Sequence, residues 1–171
     1  MVSPSLRTSL SAITDRIKSS AESVKRSPGE ITLVAVTKSF PPEIWQDALN
    51  ENLTYIGESR VQEAAEKTKN FPHRHKIELH LIGHLQSNKA RKAIELFDVV
   101  QTIDSIKLAK RINVICAETG IKQRIFIQVN TGNDPAKQGF SINNATDAIG
   151  EISEMKHLIC EGIMTIPPLE L

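Results

Sequence analysis

The chain has 171 residues, enough for one domain with a single real core. Hydrophobic residues make up 40% and charged residues 24%, the proportions of a soluble globular protein. Lys and Arg number 21 against 20 Asp and Glu, and this net charge of +1 gives no general attraction to nucleic acid or to an anionic membrane.

The N-terminal stretch MVSPSLRTSLSAITDRIKSS carries charges where a signal peptide needs an apolar segment, and no apolar run approaches the roughly 18 residues that span a bilayer. Within it, Leu6, Leu10, Ile13, Ile17, Ala21 and Val24 recur at spacings of three and four, so an amphipathic helix is expected. Ser3-Pro4 suits its N-cap and first position, and Ser27-Pro28-Gly29 suits its stop.

After this helix the pattern alternates. ITLVAV (31–36) reads as a strand buried on both faces, and Pro41-Pro42 opens a helix bearing Ile44, Trp45, Ala48 and Leu49. LTYIG (53–57) is a short strand, followed by a helix from Ser59 to about Asn70. IELHLIG (77–83) precedes a helix over 87–96, and DVVQT (98–102) precedes one bearing Ile106, Leu108, Ile112 and Ile115 and closed by Gly120. RIFIQVN (124–130) leads into a turn-rich segment, TGNDPAKQGFS, then a helix over 142–153 and a last strand, HLICEGIMTI (157–166). Cys116 falls on a helical apolar pattern and Cys160 in a strand, so both read as buried free thiols of a reducing compartment. The protein is expected to be cytoplasmic.

Six strands alternating with helices define a parallel α/β fold. An open doubly wound sheet and a (β/α)8 barrel both fit this pattern. A barrel needs eight strands and only six are visible, so the pattern alone leans toward the open sheet.

In either architecture ligands bind at the carboxyl ends of the strands. Those ends carry Thr37, Lys38 and Ser39; Glu58 and Ser59; Gly83 to Lys89; Gln101-Thr102; Asn130-Thr131; and Met164-Thr165. Lys38 stands out at the tip of an apolar strand. A desolvated lysine loses its charge more readily, and the neutral amine attacks aldehydes. On spacing alone, a lysine directed into solvent is the simpler reading. Ser59 and Gln62 form S-x-x-Q, a capping-box pattern, so Ser59 reads first as structural. His80 alternates with apolar neighbours and reads as a core histidine. The histidines at 73, 75, 80 and 84 match no zinc spacing, so no metal is expected. Lys89, Arg91 and Lys92 read as a solvated basic face without an aromatic platform for nucleic acid. No dinucleotide, P-loop or nucleophile-elbow motif occurs.

Taken together, LVAVTKSFPPE (33–43), YIGESRVQEAAEK (55–67), ELHLIGHLQSNKAR (78–91), FDVVQTIDS (97–105), IQVNTGNDPAKQGF (127–140) and GIMTIPP (162–168) resemble the pyridoxal 5′-phosphate (PLP) homeostasis proteins. These form a single-domain family similar to the barrel domain of alanine racemase. The resemblance runs from about residue 5 to residue 171 and implies a (β/α)8 barrel of PLP fold type III with an extra N-terminal helix. It further implies PLP held as a Schiff base on Lys38. Ser59, His80, Ser87, Asn88 and Met164 match family motifs around the cofactor. Many relatives have Asn where Ser59 stands, which shortens the reach of any contact there. Relatives continue through two more βα units that carry the phosphate-binding segments, so residues 1–171 are expected to form one barrel domain lacking those units. The implied function is a non-catalytic PLP binder in vitamin B6 homeostasis, a monomer without catalytic residues of its own. A residual PLP-dependent racemase or decarboxylase is the alternative.

Overall fold

The computed structural model describes residues 4–167. Helix α1 (Pro4–Ser23) half-buries Leu6, Leu10 and Ile17 and buries Ala21. The expected Ser3 cap lies outside the described residues. α1 ends earlier than the Ser-Pro-Gly stop, where the chain turns through a left-handed Lys25 (φ 59°). Ser27 instead caps a one-turn 3-10 helix, Pro28–Glu30, with Glu30 completing the capping box. Arg7 donates to Glu51 at 2.8 Å and fastens α1 to the segment after α2.

The rest alternates as the periodicity predicts. The elements are β1 (Ala35–Val36), α2 (Ile44–Asn50), β2 (Tyr55–Glu58), α3 (Val61–Lys69), β3 (Glu78–Leu81), α4 (Ala90–Leu96), β4 (Val99–Ile103), α5 (Ile106–Thr119), β5 (Gln123–Asn130), β6 (Phe140–Ser141), α6 (Ile142–Ser153) and β7 (Leu158–Met164). Two sequence expectations are corrected. The first strand is two residues long rather than six, and Ile31 and Val36 are exposed. Among the described residues β1 pairs with β2, and the exposure of Val36 shows that it is not buried on both faces. Ser59 does not cap α3: the N-cap position is Arg60, and no side-chain capping bond forms.

All pairings are parallel, and the strands add in chain order, β1-β2-β3-β4-β5, with β7 on the far side of β5. The two-residue β6 pairs with the carboxyl end of β5, Val129 with Phe140. A doubly wound sheet reverses its strand order at a switch point. No reversal occurs here, so right-handed crossovers place every helix on one face. Helices α3, α4, α5 and α6 accordingly pack as successive neighbours. The order is that of a (β/α) barrel, which overturns the lean toward an open sheet. Among the described residues β1 and β7 do not pair with each other.

β5 shows the two faces directly. Gln123, Ile125, Ile127 and Val129 are buried against helices, while Arg124, Phe126, Gln128 and Asn130 alternate on the concave side. The helix-side core contains Ile56, Leu79, Leu81, Ile103, Ile112 and Ile125, all fully buried. The concave face carries a polar cluster among apolar residues such as Val99 and Phe126. Arg124 donates to Glu78 and Glu161 at 2.6 Å each, and His80 Nδ1 lies 2.9 Å from Gln101 Nε2. His80 Nε2 is 3.0 Å from Glu78 Oε1 but is not aligned for a hydrogen bond.

Ile112 tests the core. Replacing it with Ala should cost about 2–5 kcal/mol, read as a lower urea midpoint with an unchanged slope. His80 tests the concave face. Burial outweighs the nearby Glu78 carboxylate and lowers its pKa from 6.5. The unfolded chain therefore binds the proton more readily, and stability should fall as pH drops below about 6.5 and be fully present above it. Urea titrations of His80→Gln between neutral and mildly acidic pH should show a shallower decline than wild type. An identical decline would assign it to other groups.

Candidate functional site

The carboxyl ends of the strands form the mouth, and the register sets its depth. Val36 pairs with Gly57 and Gly57 with His80, so these three share a layer. His80 pairs on with Val99 and Val99 with Arg124, which places this layer on the concave side, where a Cβ on Gly57 would meet Ile82 Cδ1 at 3.2 Å and Val34 Cγ1 at 3.3 Å. Lys38 and Ser59 lie two residues beyond this layer, Lys38 in the turn after β1 and Ser59 in the bend after β2. Gly83 lets the two strand ends close up: a Cβ there would sit 2.1 Å from the Ser59 carbonyl oxygen.

Lys38 is exposed, and no described residue pairs with its amine. Its backbone neighbours, in contrast, are held on both sides. Lys67 Nζ donates to the Thr37 carbonyl oxygen at 2.8 Å, and the Ser39 amide donates to Glu63 Oε1 at 2.6 Å. Ser39 itself is left-handed, with φ 66°. The same ammonium donates to Glu58 Oε1 at 2.7 Å and to Glu63 Oε1 at 3.0 Å. Glu58 Oε1 also accepts from the Thr37 hydroxyl at 2.6 Å and from Trp45 Nε1 at 3.2 Å. Glu58 and Lys67 are buried. Burial raises the Glu63 carboxyl pKa, but the Lys67 ammonium and the Ser39 amide outweigh it and hold the group below its usual range. The motif reading missed this cluster. Its signal was a lysine on the apolar stripe that Val61 and Ala64 define in α3.

The other expected residues divide by position. Ser59 lines a cavity of about 210 Å³ with Arg60, Gln62, His84, Gln86 and Lys89, between the start of α3 and the loop after β3. His80 sits one layer deeper than Lys38, in the polar cluster of the concave face. Met164 is half-buried opposite Gln128 at the end of β7. Ser87 and Asn88 lie in a 3-10 turn, Ser87–Lys89, ahead of α4, where both are exposed and neither lines that cavity. A second cavity of about 250 Å³ is lined by Gly83, His84, Thr102, Gln128, Asn130 and Lys137 among others.

The basic cluster is partly neutralised, with Arg91 paired to Glu118 and Lys92 to Glu95 at 3.1 Å. The histidines are dispersed: His84 meets Asp104 at 2.9 Å at the mouth, whereas His73 and His75 meet edge to face near the start of β3. Cys116 and Cys160 are both free thiols, the first buried and the second half-buried. No helix among the described residues is long and apolar enough to cross a membrane.

A free amine on an anchored backbone, beside a polar mouth with Arg60 and Lys89, is a donor set that accommodates an aldehyde bearing an anionic group. The pyridoxal phosphate homeostasis protein of Vibrio alginolyticus is 34% identical over 166 residues, covering 95% of this chain and 71% of the relative. That of Escherichia coli K12 is 33% identical over 163 residues, covering 94% and 70%. PipY of Synechococcus elongatus PCC7942, solved without PLP, is 34% identical with a TM-score of 0.79 over 91% of this chain and 72% of its own. Its PLP-bound form superposes with a TM-score of 0.77 at 32% identity, over 93% of this chain and 72% of its own. Alanine racemase from Clostridium difficile, at 20% identity and a TM-score of 0.69 over 79% of this chain and 36% of its own, shares the fold. The family model for the alanine racemase N-terminal domain matches residues 9–170, and the chain belongs to that family.

Proposed function

We propose that this protein binds PLP as a Schiff base on Lys38, without catalysing a reaction of its own, and serves PLP homeostasis. The observation that carries the reading is the free Lys38 amine on a backbone fastened at Thr37 and Ser39. The relatives named for PLP homeostasis and the PLP-bound PipY support the choice of aldehyde.

Within this reading Lys38 supplies the nucleophilic amine. Ser59, directly after the neighbouring strand β2, offers a hydroxyl to the cofactor's rim. Met164 is proposed as an apolar wall and His80 as the neutral floor one layer below. Arg60 and Lys89 supply positive charge beside the Ser59 cavity. Ser87 and Asn88 would reach bound cofactor from the loop before α4. Bound PLP would supply an electron-poor ring able to stabilise negative charge. The protein is further proposed to act as a single-domain monomer in the cytoplasm.

The non-catalytic reading rests on what faces Lys38. Racemisation needs a second acid/base across the cofactor from the lysine. The chain has one tyrosine, Tyr55. The pairing of Ala35 with Ile56 sets Tyr55 level with Val34, four residues before Lys38. It therefore stands at the opposite end of β2 from the mouth.

Purified protein mixed with PLP should develop a visible absorbance band, and borohydride should fix the label on Lys38 in peptide maps. Lys38→Ala should lose both; a band retained in that variant would refute the site. Wild-type protein loaded with PLP should leave L-alanine optically unchanged over hours. Racemisation that disappears in Lys38→Ala would replace this reading with a PLP enzyme.

A further inference from the structure

We infer that Glu63 and Lys67 are positioning residues for Lys38: together with Glu58 they fix the backbone on both sides of it and so aim its amine at the mouth. This inference rests on the proposed role of Lys38.

Three features of the cluster go beyond what folding requires. The first is saturation of the ammonium. A lysine has three N–H donors, and those of Lys67 reach the Thr37 carbonyl, Glu58 and Glu63. A charge placed for solubility would keep some of its donors for water, whereas the Lys67 side chain is only 3% exposed.

The second is where the bonds land. Two of them meet main-chain atoms rather than other side chains, and those atoms belong to Thr37 and Ser39, the residues on either side of Lys38. β1 is a two-residue strand whose ladder with β2 ends at the bond from the Thr37 amide to the Gly57 carbonyl. Beyond that bond Lys38 lies in a turn that the Phe40 amide closes on the Thr37 carbonyl at 3.2 Å. The carboxylate of Glu63 captures the Ser39 amide in its left-handed conformation, the step at which the chain leaves the strand direction. The Lys38 Cα is thereby fixed from both sides while its side chain stays free.

The third is that the cluster couples three elements. Glu58 ends β2, Lys67 and Glu63 come from α3, and Trp45 of α2 closes it through its indole N–H. Glu58 Oε2 has no partner among the described residues, so the carboxylate is held on one oxygen only. A buried ion pair is a weak source of stability because desolvation offsets its attraction. An apolar contact between α3 and β2 would serve packing equally well. Directed bonds to named backbone atoms are what the charges add.

Glu63 is the residue to vary, because its side chain is 24% exposed and Ala should be tolerated there, while Gln keeps an acceptor oxygen. Amide exchange over Thr37–Phe40 and PLP affinity from the visible band would be measured for wild type, Glu63→Ala, Glu63→Gln and Lys38→Ala. Glu63→Ala should speed exchange of the Ser39 amide and weaken PLP about tenfold, the effect of losing one charge-assisted hydrogen bond. Exchange elsewhere in the sheet should be unchanged, and Glu63→Gln should restore most of both properties. Wild-type PLP affinity in Glu63→Ala, with the Ser39 amide deprotected and Lys38→Ala unable to bind, would overturn the positioning role alone. Undiminished binding in Lys38→Ala would overturn the Lys38 reading and this inference with it.

Discussion

The structure depends on strands that add to one sheet in sequence, each parallel to the last. A parallel connection must cross over the sheet, and the right-handed crossover always returns on the same side. With no reversal from β1 to β5 and β7 following on, that side receives all the helices and the core of Ile56, Leu79, Leu81, Ile112 and Ile125. The opposite face receives none. It collects the polar alternates of the strands, Glu78, His80, Gln101, Arg124 and Gln128, which satisfy one another or face open space. The same direction of travel brings every strand's carboxyl end to one rim. A site composed of residues from distant sequence positions follows from strand order before any particular side chain is considered.

What the sequence disclosed follows this division. The helix expected around 142–153 is present, capped by Ser141, with its buried positions Ala145, Ala148 and Ile152 at helical spacing. β5 was readable because Ile125, Phe126, Ile127 and Val129 make a β-rich run, and its burial alternates strictly. The first strand was not, because ITLVAV has the composition of a buried strand whether or not a second partner covers it. Periodicity reports which residues can be buried, not how many neighbours a strand has. Ser59 misled for a related reason. S-x-x-Q matches a cap, but the close fit of the Ser59 carbonyl against Gly83 keeps the chain extended one residue longer, and the helix starts from Arg60.

The site was legible in a similarly uneven way. Lys38 could be found because it follows an apolar strand directly, where its position is fixed by the strand and its chemistry by its type. His80 and Met164 could be placed on strands, though not in depth, since depth depends on register between strands and that is a three-dimensional quantity. The cluster around Lys67 escaped because charged residues in helices usually face water. Only its position on the stripe with Val61 and Ala64 distinguishes Lys67 from Lys69, two residues later, which pairs at the surface with Glu66.

Burial of Lys67 also explains why the cluster belongs to the site rather than to the core. Removing one partner of a buried pair costs about 3–5 kcal/mol, whereas replacing the whole pair by well-packed apolar groups is often neutral. The charges therefore add little net stability over an oily contact, yet they commit the fold to one arrangement in which all their bonds are made. That arrangement includes the Thr37 carbonyl and the Ser39 amide. An apolar substitute would pack α3 against β2 with a spread of small displacements, and each would be transmitted to the backbone at Lys38. Where the chain leaves β1 and turns through Lys38, these directional bonds define the backbone on either side of it.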